Sequence, residues 1–153
     1  MRNRKLCFIG GGNMARSLIT GLIEAGNEPD YITVGEPDAT LRNELTNNFG
    51  VATFSDNITA ARGADVIILA VKPQVMETAL VPLGSILSEK KPLLISIAAG
   101  INIATLHSWA GTNLAVVRVM PNTPALVNSG ISALFANFFS TPAQHNEAES
   151  IMN

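Results

Sequence analysis

The chain has 153 residues, enough for one well-cored domain and too few for two ordinary ones. Its net charge of −2 gives no basic footprint for nucleic acid, and its apolar runs have the length of strands rather than of membrane spans. The single cysteine, Cys7, excludes an internal disulfide and fits the reducing cytoplasm, where we expect this protein. Hydrophobic residues make up 47% of the chain and charged residues 14%, which suits a sheet buried on both faces.

The first predicted element is a short apolar strand that runs into glycines, and a helix-forming run follows it. The pattern Gly10-x-Gly12-x-x-Ala15 is the dinucleotide-binding fingerprint in the strand–turn–helix setting that it requires. Gly10 allows a sharp turn, and Gly12 lets the backbone lie against a pyrophosphate because it has no Cβ. The N–H groups around Asn13 and Met14 then point at the phosphates, at the positive end of the helix dipole. A plain tight turn is the alternative.

Strands and helices alternate along the rest of the chain. Pro82 falls inside one predicted helix and indicates a kink or an early end there. The alternation predicts an α/β fold, a doubly wound, mostly parallel Rossmann-type sheet with helices on both faces. Strands are predicted at 5–9, 31–34, near 51–53, and at 64–71, 93–97, 114–120 and 130–135. Helices are predicted at about 13–25, from a cap at Asp38 or Thr40 to about 48, at about 74–87, at 103–110 and from 141 onward, and a brief helical piece follows the loop and cap at 55–57 and ends at 61.

The last predicted helix suggests how the chain is divided into domains. Thr141 and Pro142 are typical of a helix cap and a first helical position. We expect residues 1–140 to form the dinucleotide-binding domain and residues 141–153 to begin a helix that leads toward a further domain. A domain rarely stops a dozen residues into a capped helix, so the chain is expected to be the first part of something longer.

In a sheet of this kind, ligands bind beyond the carboxyl ends of the strands, where strand order reverses. Glu36 stands about 20 residues after the fingerprint, at the distance of the acid that takes a ribose hydroxyl. The alternative for Glu36 is a solvated loop acid. Lys72 closes an apolar strand and is followed by Pro73, so it either projects into the ligand crevice, which we favour, or extends to solvent. Asn57 either caps a short helix or meets the cofactor.

Other kinds of site have little support in the sequence. His107 and His145 are far apart and have no cysteine or carboxylate at metal spacing, so we expect surface or packing roles and no metal site. No nucleophile elbow and no lysine-containing phosphate loop occurs in the chain. We expect Cys7 to be a buried apolar residue rather than a reactive thiol.

Four motifs in order resemble those of one family, the pyrroline-5-carboxylate reductases. The similarity extends from about residue 5 to the end of the chain. It is far more specific than the glycine fingerprint alone, which would equally suit hydroxyisobutyrate or phosphogluconate dehydrogenases. The motifs are FIGGGNMA at 8–15, AVKPQ at 70–74, SIAAG at 96–100 and MPNTPA at 120–125.

The resemblance implies reduction of the cyclic imine Δ1-pyrroline-5-carboxylate to L-proline, in proline biosynthesis, by hydride from NADPH or NADH. It implies that Asn13 and Met14 meet the pyrophosphate and that Asn57 meets the adenosine side. Asn122 and Thr123 would border the reacting ring of this small-molecule substrate. The nicotinamide half would lie along Ala70, Val71, Lys72, Pro73, Ala98 and Ala99.

In this family, substrate binding, the proposed proton-donating hydroxyl and the dimer contacts belong to a helical C-terminal domain that no residue here matches. The resemblance therefore implies a homodimer or larger homo-oligomer for the full-length protein, no catalytic residue in this chain, and an inactive fragment. Glu36 departs from the family, which often has serine or threonine there to accept a 2′-phosphate. A carboxylate would repel that phosphate, and Arg42 is a candidate to offset the charge. Another NAD(P)-dependent dehydrogenase of the β-hydroxyacid type and a stand-alone NAD(P)-sensing module are the alternatives.

Overall fold

The structure is a computed structural model, and it describes residues 4–121 and 132–152. These residues form a seven-stranded sheet in the order β3-β2-β1-β4-β5-β6-β7. Strands β1 to β6 pair in parallel, and β7 is antiparallel to β6. The predicted doubly wound, mostly parallel sheet is confirmed, with strand order reversing at β1 and β4. The strands are Leu6–Ile9 (β1), Ile32–Gly35 (β2), Ala52–Phe54 (β3), Val66–Leu69 (β4), Leu93–Ser96 (β5), Val116–Pro121 (β6) and Ser132–Ala136 (β7).

Helices cover both faces of this sheet. The helix predicted over 74–87 is divided in two, because a turn of 3-10 helix over Val81–Leu83 contains Pro82, which lacks an N–H donor. The early end expected at Pro82 is therefore confirmed. The helices are Asn13–Glu24 (α1), Ala39–Phe49 (α2), Asn57–Ala61 (α3), Pro73–Leu80 (α4), Gly84–Lys90 (α5), Ile103–Ala110 (α6) and Pro142–Met152 (α7). Among the described residues, none of the helices has the length and apolar character needed to span a bilayer.

Two apolar layers enclose the sheet, because successive strand residues point to opposite faces. On β1, Cys7 and Ile9 belong to the layer shared with α3 to α6, and Leu6 and Phe8 belong to the layer shared with α1, α2 and α7. Burial raises the pKa of the Cys7 thiol to about 12, although a hydrogen bond with Thr33 acts the other way. The expectation that Cys7 is a buried residue is confirmed, and its raised pKa favours the protonated thiol at neutral pH.

Helix α1 packs against the sheet directly after the glycines. Its buried residues Ala15, Ile19 and Leu22 recur at helical spacing and form one apolar face. Ala15 has no exposed surface and lies in the same apolar layer as Leu6 and Phe8 of β1. The N-terminus of α1 is thereby held at the carboxyl end of the central strand.

Helix α7 begins as predicted and also contributes to the core. The Thr141 hydroxyl accepts from Gln144 N–H (3.1 Å) and the Gln144 side chain accepts from Thr141 N–H (2.9 Å), a reciprocal capping pair. Ala148 and Ile151 are 0% and 3% exposed in the layer shared with α1. The described part of α7 therefore packs on the Rossmann sheet. The boundary at residue 140 and the further domain beyond it stay predictions.

Candidate dinucleotide-binding site

The loop between β1 and α1 passes very close to the end of β4. Gly10 has a φ of +101°, a conformation that L side chains rarely adopt, and its N–H donates to the Gly35 carbonyl (2.8 Å). A Cβ at Gly10 would lie 2.6 Å from the Ala70 carbonyl oxygen and 2.9 Å from Cγ1 of Val71. Only glycine fits here, which agrees with the sharp turn predicted from the sequence.

Gly12 faces open space instead. It adopts an ordinary φ of −79°, and a Cβ there would have no heavy atom of the described residues within 4 Å. Gly12 is also the N-cap of α1, and no side chain caps this helix end. The main-chain N–H groups of the first turn, which includes Asn13 and Met14, lack partners within the helix. An open space at an uncapped helix N-terminus is suited to a phosphate group.

Glu36 lies immediately after β2 and is only 9% exposed. Its Oε1 accepts from Gly11 N–H (2.9 Å), and its Oε2 accepts from Asp38 N–H (3.0 Å). The alternative of a solvated loop acid is therefore wrong, because Glu36 is buried and two main-chain donors hold its carboxylate. A carboxylate has about four acceptor sites, so it keeps capacity for a further donor such as a ribose hydroxyl.

Asn57 lies beside the end of β2, at the first position of α3. The cap of α3 is Asp56, whose carboxylate accepts from Thr59 N–H (2.8 Å), so the capping alternative for Asn57 is wrong. A Cβ at Gly35 would collide with Oδ1 of Asn57. The Asn57 amide therefore lies over the carboxyl end of β2, on the same edge as Glu36.

The ends of β4 and β5 contribute the other predicted residues. Ala70 and Val71 are half-buried and lie against Gly10, whereas Lys72 and Pro73 are exposed where α4 begins. At the end of β5, Ala98 is buried and Ala99 is exposed. All of these residues follow strand ends on the edge that bears the glycine loop. A ligand role for Lys72 stays a prediction, and Asn122 and Thr123 lie outside the described residues.

Two further glycines of the site have no role in the dinucleotide-binding fingerprint. A Cβ at Gly11 would lie 2.8 Å from Cδ1 of Leu45 on α2, and Gly35 leaves room for Asn57. The run of three glycines was a signal for Gly11, because the fingerprint requires only the first and third of them. No local pattern marks Gly35, whose neighbour Asn57 lies 22 residues further along the chain.

A βαβ unit whose glycine loop opens onto a helix N-terminus, at the switch point of a doubly wound sheet, defines a dinucleotide-binding Rossmann domain. Comparison with known families agrees with this class. Residues 5–100 match the family described as NADP oxidoreductase, coenzyme F420-dependent. The match covers more than half of the chain, and the chain belongs to this family.

Individual relatives are more specific. Pyrroline-5-carboxylate reductase of Vibrio alginolyticus is 45% identical over 148 residues, which are 97% of this chain and 53% of the relative. The enzyme of Pseudomonas aeruginosa is 40% identical over 153 residues, which are 100% of this chain and 56% of the relative. The resemblance to the N-terminal domain of pyrroline-5-carboxylate reductase is thus confirmed. The chain spans about half the length of these relatives.

Solved structures agree with the sequence relatives. A pyrroline-5-carboxylate reductase from Coxiella burnetii matches with a TM-score of 0.94 and 42% identity, over 97% of this chain and 55% of that chain. The Plasmodium falciparum enzyme, solved with NADP bound, has a TM-score of 0.85 and 32% identity over 100% of this chain and 55% of that chain. A prephenate dehydrogenase at 12% identity, with a TM-score of 0.81, shares the fold alone.

Proposed function

We propose that this chain is the cofactor-binding half of a pyrroline-5-carboxylate reductase and that it binds NADPH or NADH at the carboxyl edge of its sheet. The observation that carries the proposal is the open space at Gly12, next to the uncapped N-terminus of α1. The match of almost the whole chain to about half of each relative supports the assignment to one half of the enzyme.

Three groups of residues at this edge bind three different parts of the cofactor. The N–H groups at Asn13 and Met14 bind the pyrophosphate, because an anion is favoured at the positive end of a helix. Glu36 and Asn57 lie on the adenosine side, at the carboxyl end of β2. The nicotinamide half lies along the residues that end β4 and β5, namely Ala70, Val71, Lys72, Pro73, Ala98 and Ala99.

A bound nicotinamide cofactor would supply a hydride for the imine carbon of Δ1-pyrroline-5-carboxylate, and a proton for the nitrogen would complete the reduction to L-proline. This chain orients the cofactor for that step, and the family resemblance alone is the basis for expecting Asn122 and Thr123 beside the reacting ring. The groups that bind the substrate and give the proton belong to the half of the relatives' length that this chain does not span. That half also joins the subunits into a homodimer or larger homo-oligomer, and the enzyme acts in the cytoplasm.

The proposal is tested with the purified 153-residue chain and with an intact protein in which it continues to the length of its relatives. Calorimetric titration of the chain with NADPH is expected to show saturable binding. Imine-dependent oxidation of NADPH is expected only from the intact protein. Absence of binding would contradict the cofactor assignment. Turnover by the 153-residue chain at the rate of the intact enzyme would contradict the division into halves.

A further inference from the structure

The corner between β2 and α2, residues 36–42, contains a positively charged side chain in a fixed position. Nη1 of Arg42 donates to the main-chain carbonyl oxygens of Glu36 and Pro37, both at 2.8 Å. Within the described residues, the hydrogen bonds of Arg42 come from Nη1 alone. A guanidinium group has five N–H donors, so Nη2 and Nε keep three of them for a ligand.

The neighbouring carboxylates are occupied by other partners. Both oxygens of Glu36 accept from main-chain N–H groups, and Oδ1 of Asp38 accepts from Thr40 N–H (2.8 Å) at the cap of α2. Glu44 pairs with Arg16 at 3.2 Å. No ion pair within 4 Å among the described residues involves Arg42. Its positive charge is therefore not neutralised by a contact within this corner.

The position of this corner indicates which part of a ligand lies near the positive charge of Arg42. Glu36 and Pro37 are the first two residues after β2, and in this strand order the adenosine ribose of a dinucleotide lies beyond the end of that strand. NADPH and NADH differ there by one phosphate group on the ribose 2′ oxygen. The planar guanidinium fork matches phosphate oxygens, and a side chain already held by two carbonyls loses little further entropy on binding.

We propose that Arg42 recognises the adenosine 2′-phosphate of NADPH, and that it thereby offsets the repulsion expected from the Glu36 carboxylate. This inference rests on the proposed dinucleotide function. It makes Arg42 a specificity-determining residue, because NADH has no group for the free N–H donors to bind. The corner accordingly accepts both cofactors, with Glu36 holding the glycine loop through Gly11.

The experiment compares the dissociation constants of NADPH and NADH for the wild-type 153-residue chain, Arg42→Gln and a control, Arg62→Gln. Arg62 is exposed at the end of α3, and its replacement removes the same charge. All titrations use one salt concentration, because screening changes such affinities. Loss of a charge-assisted contact predicts about 10- to 100-fold weaker NADPH binding by Arg42→Gln, with NADH changed less than about threefold. Arg62→Gln is expected to leave both constants unchanged.

A second pair of probes isolates the phosphate itself. Adenosine 2′,5′-bisphosphate is expected to lose affinity for Arg42→Gln, and adenosine 5′-monophosphate is expected to keep it. Equal weakening of NADPH and NADH would overturn the inference, because it would mean that Arg42 only shapes the corner. An unchanged NADPH constant would overturn it as well. A wild-type chain that binds neither cofactor would instead overturn the proposed function, and the inference with it.

Discussion

Polar groups are used in opposite ways at the two ends of the parallel strands, which we call the amino edge (where these strands begin) and the carboxyl edge (where they end). At the amino edge, charged side chains bind one another: Arg4 pairs with Glu147 at 2.7 Å, and Lys90 pairs with Asp65 at 3.4 Å. At the carboxyl edge, Gly12 and the first turn of α1 present main-chain N–H groups to open space. The comparison indicates that the amino edge fastens the helices to the sheet, whereas the carboxyl edge keeps donors available for a ligand.

Asn137 is a further polar side chain at the amino edge, and its amide groups also bind groups of the protein itself. Its Oδ1 accepts from Val116 N–H (3.0 Å) and from the Ser140 hydroxyl (2.8 Å), and its Nδ2 donates to the Leu114 carbonyl (2.8 Å). Nε2 of His107 lies 3.3 Å from Nδ2 of Asn137, and its ring meets the Phe139 ring edge-on, which agrees with the surface or packing role expected from the sequence. The side-chain amide of Asn137 thus connects the start of β6 with the turn that follows β7.

The largest effect on stability is expected at the glycine loop between β1 and α1, where the carboxyl edge requires a fixed backbone conformation. Gly10→Ala places a Cβ 2.6 Å from a main-chain oxygen and forces a side chain into positive φ. We expect the free energy of unfolding to fall by about 3 kcal/mol or more, measured by urea denaturation. Gly12→Ala, in the same loop but in open space, is the control. A loss below about 1 kcal/mol for Gly10→Ala would contradict the close approach of the loop to β4.

A smaller loss of stability is expected from the amino edge. Asn137→Ala removes the side-chain acceptor of Val116 N–H and one of the two side-chain partners of the Leu114 carbonyl, the other being His107. We expect the free energy of unfolding to fall by about 2 kcal/mol while NADPH affinity is unchanged, because the two edges are separate. Asn113→Ala, at an exposed asparagine, is the control. A variant that lost cofactor affinity but kept its stability would reverse the roles assigned to the two edges.

The smallest effect concerns the charges of the amino edge and depends on pH. Partial burial alone would raise the pKa of Asp65, but the Lys5 N–H (2.9 Å), Lys90 and Arg4 outweigh it and hold that pKa below its usual value. A carboxyl group of this kind stabilises the fold above its unfolded pKa of about 3.9, and the contribution is lost as pH falls through the folded pKa.

We therefore expect Asp65→Asn to lower the free energy of unfolding by less than about 1 kcal/mol at pH 7, since surface ion pairs contribute little. The difference from wild type is expected to shrink as pH falls below about 4. Urea denaturation over a pH series measures it, with Asp30→Asn at an exposed aspartate as the control. A difference that grew toward low pH would mean that Asp65 opposes folding.

The centre of the sheet could be predicted from the sequence because strands β1 and β4 are uninterrupted apolar runs, as buried parallel strands require. Thr141 and Gly10 were also predictable, since a cap and a glycine turn are local signals. The inward bonds of Glu36 were not, because they depend on how α2 and the glycine loop pack together. Asn137 and His107 are likewise 30 residues apart and follow no local pattern. Long-range polar contacts are the part of this molecule that only the fold reveals.

Binding at the carboxyl edge is tested most directly by titrating the wild-type chain and Gly12→Val with NADPH in a calorimeter. A valine side chain would extend into the open space that the pyrophosphate requires, and its Cβ would have no heavy atom of the described residues within 4 Å. We expect saturable binding by wild type, about 100-fold or greater loss by Gly12→Val, and a free energy of unfolding within about 1 kcal/mol of wild type. Unchanged NADPH affinity in a folded Gly12→Val chain would contradict dinucleotide binding at this edge.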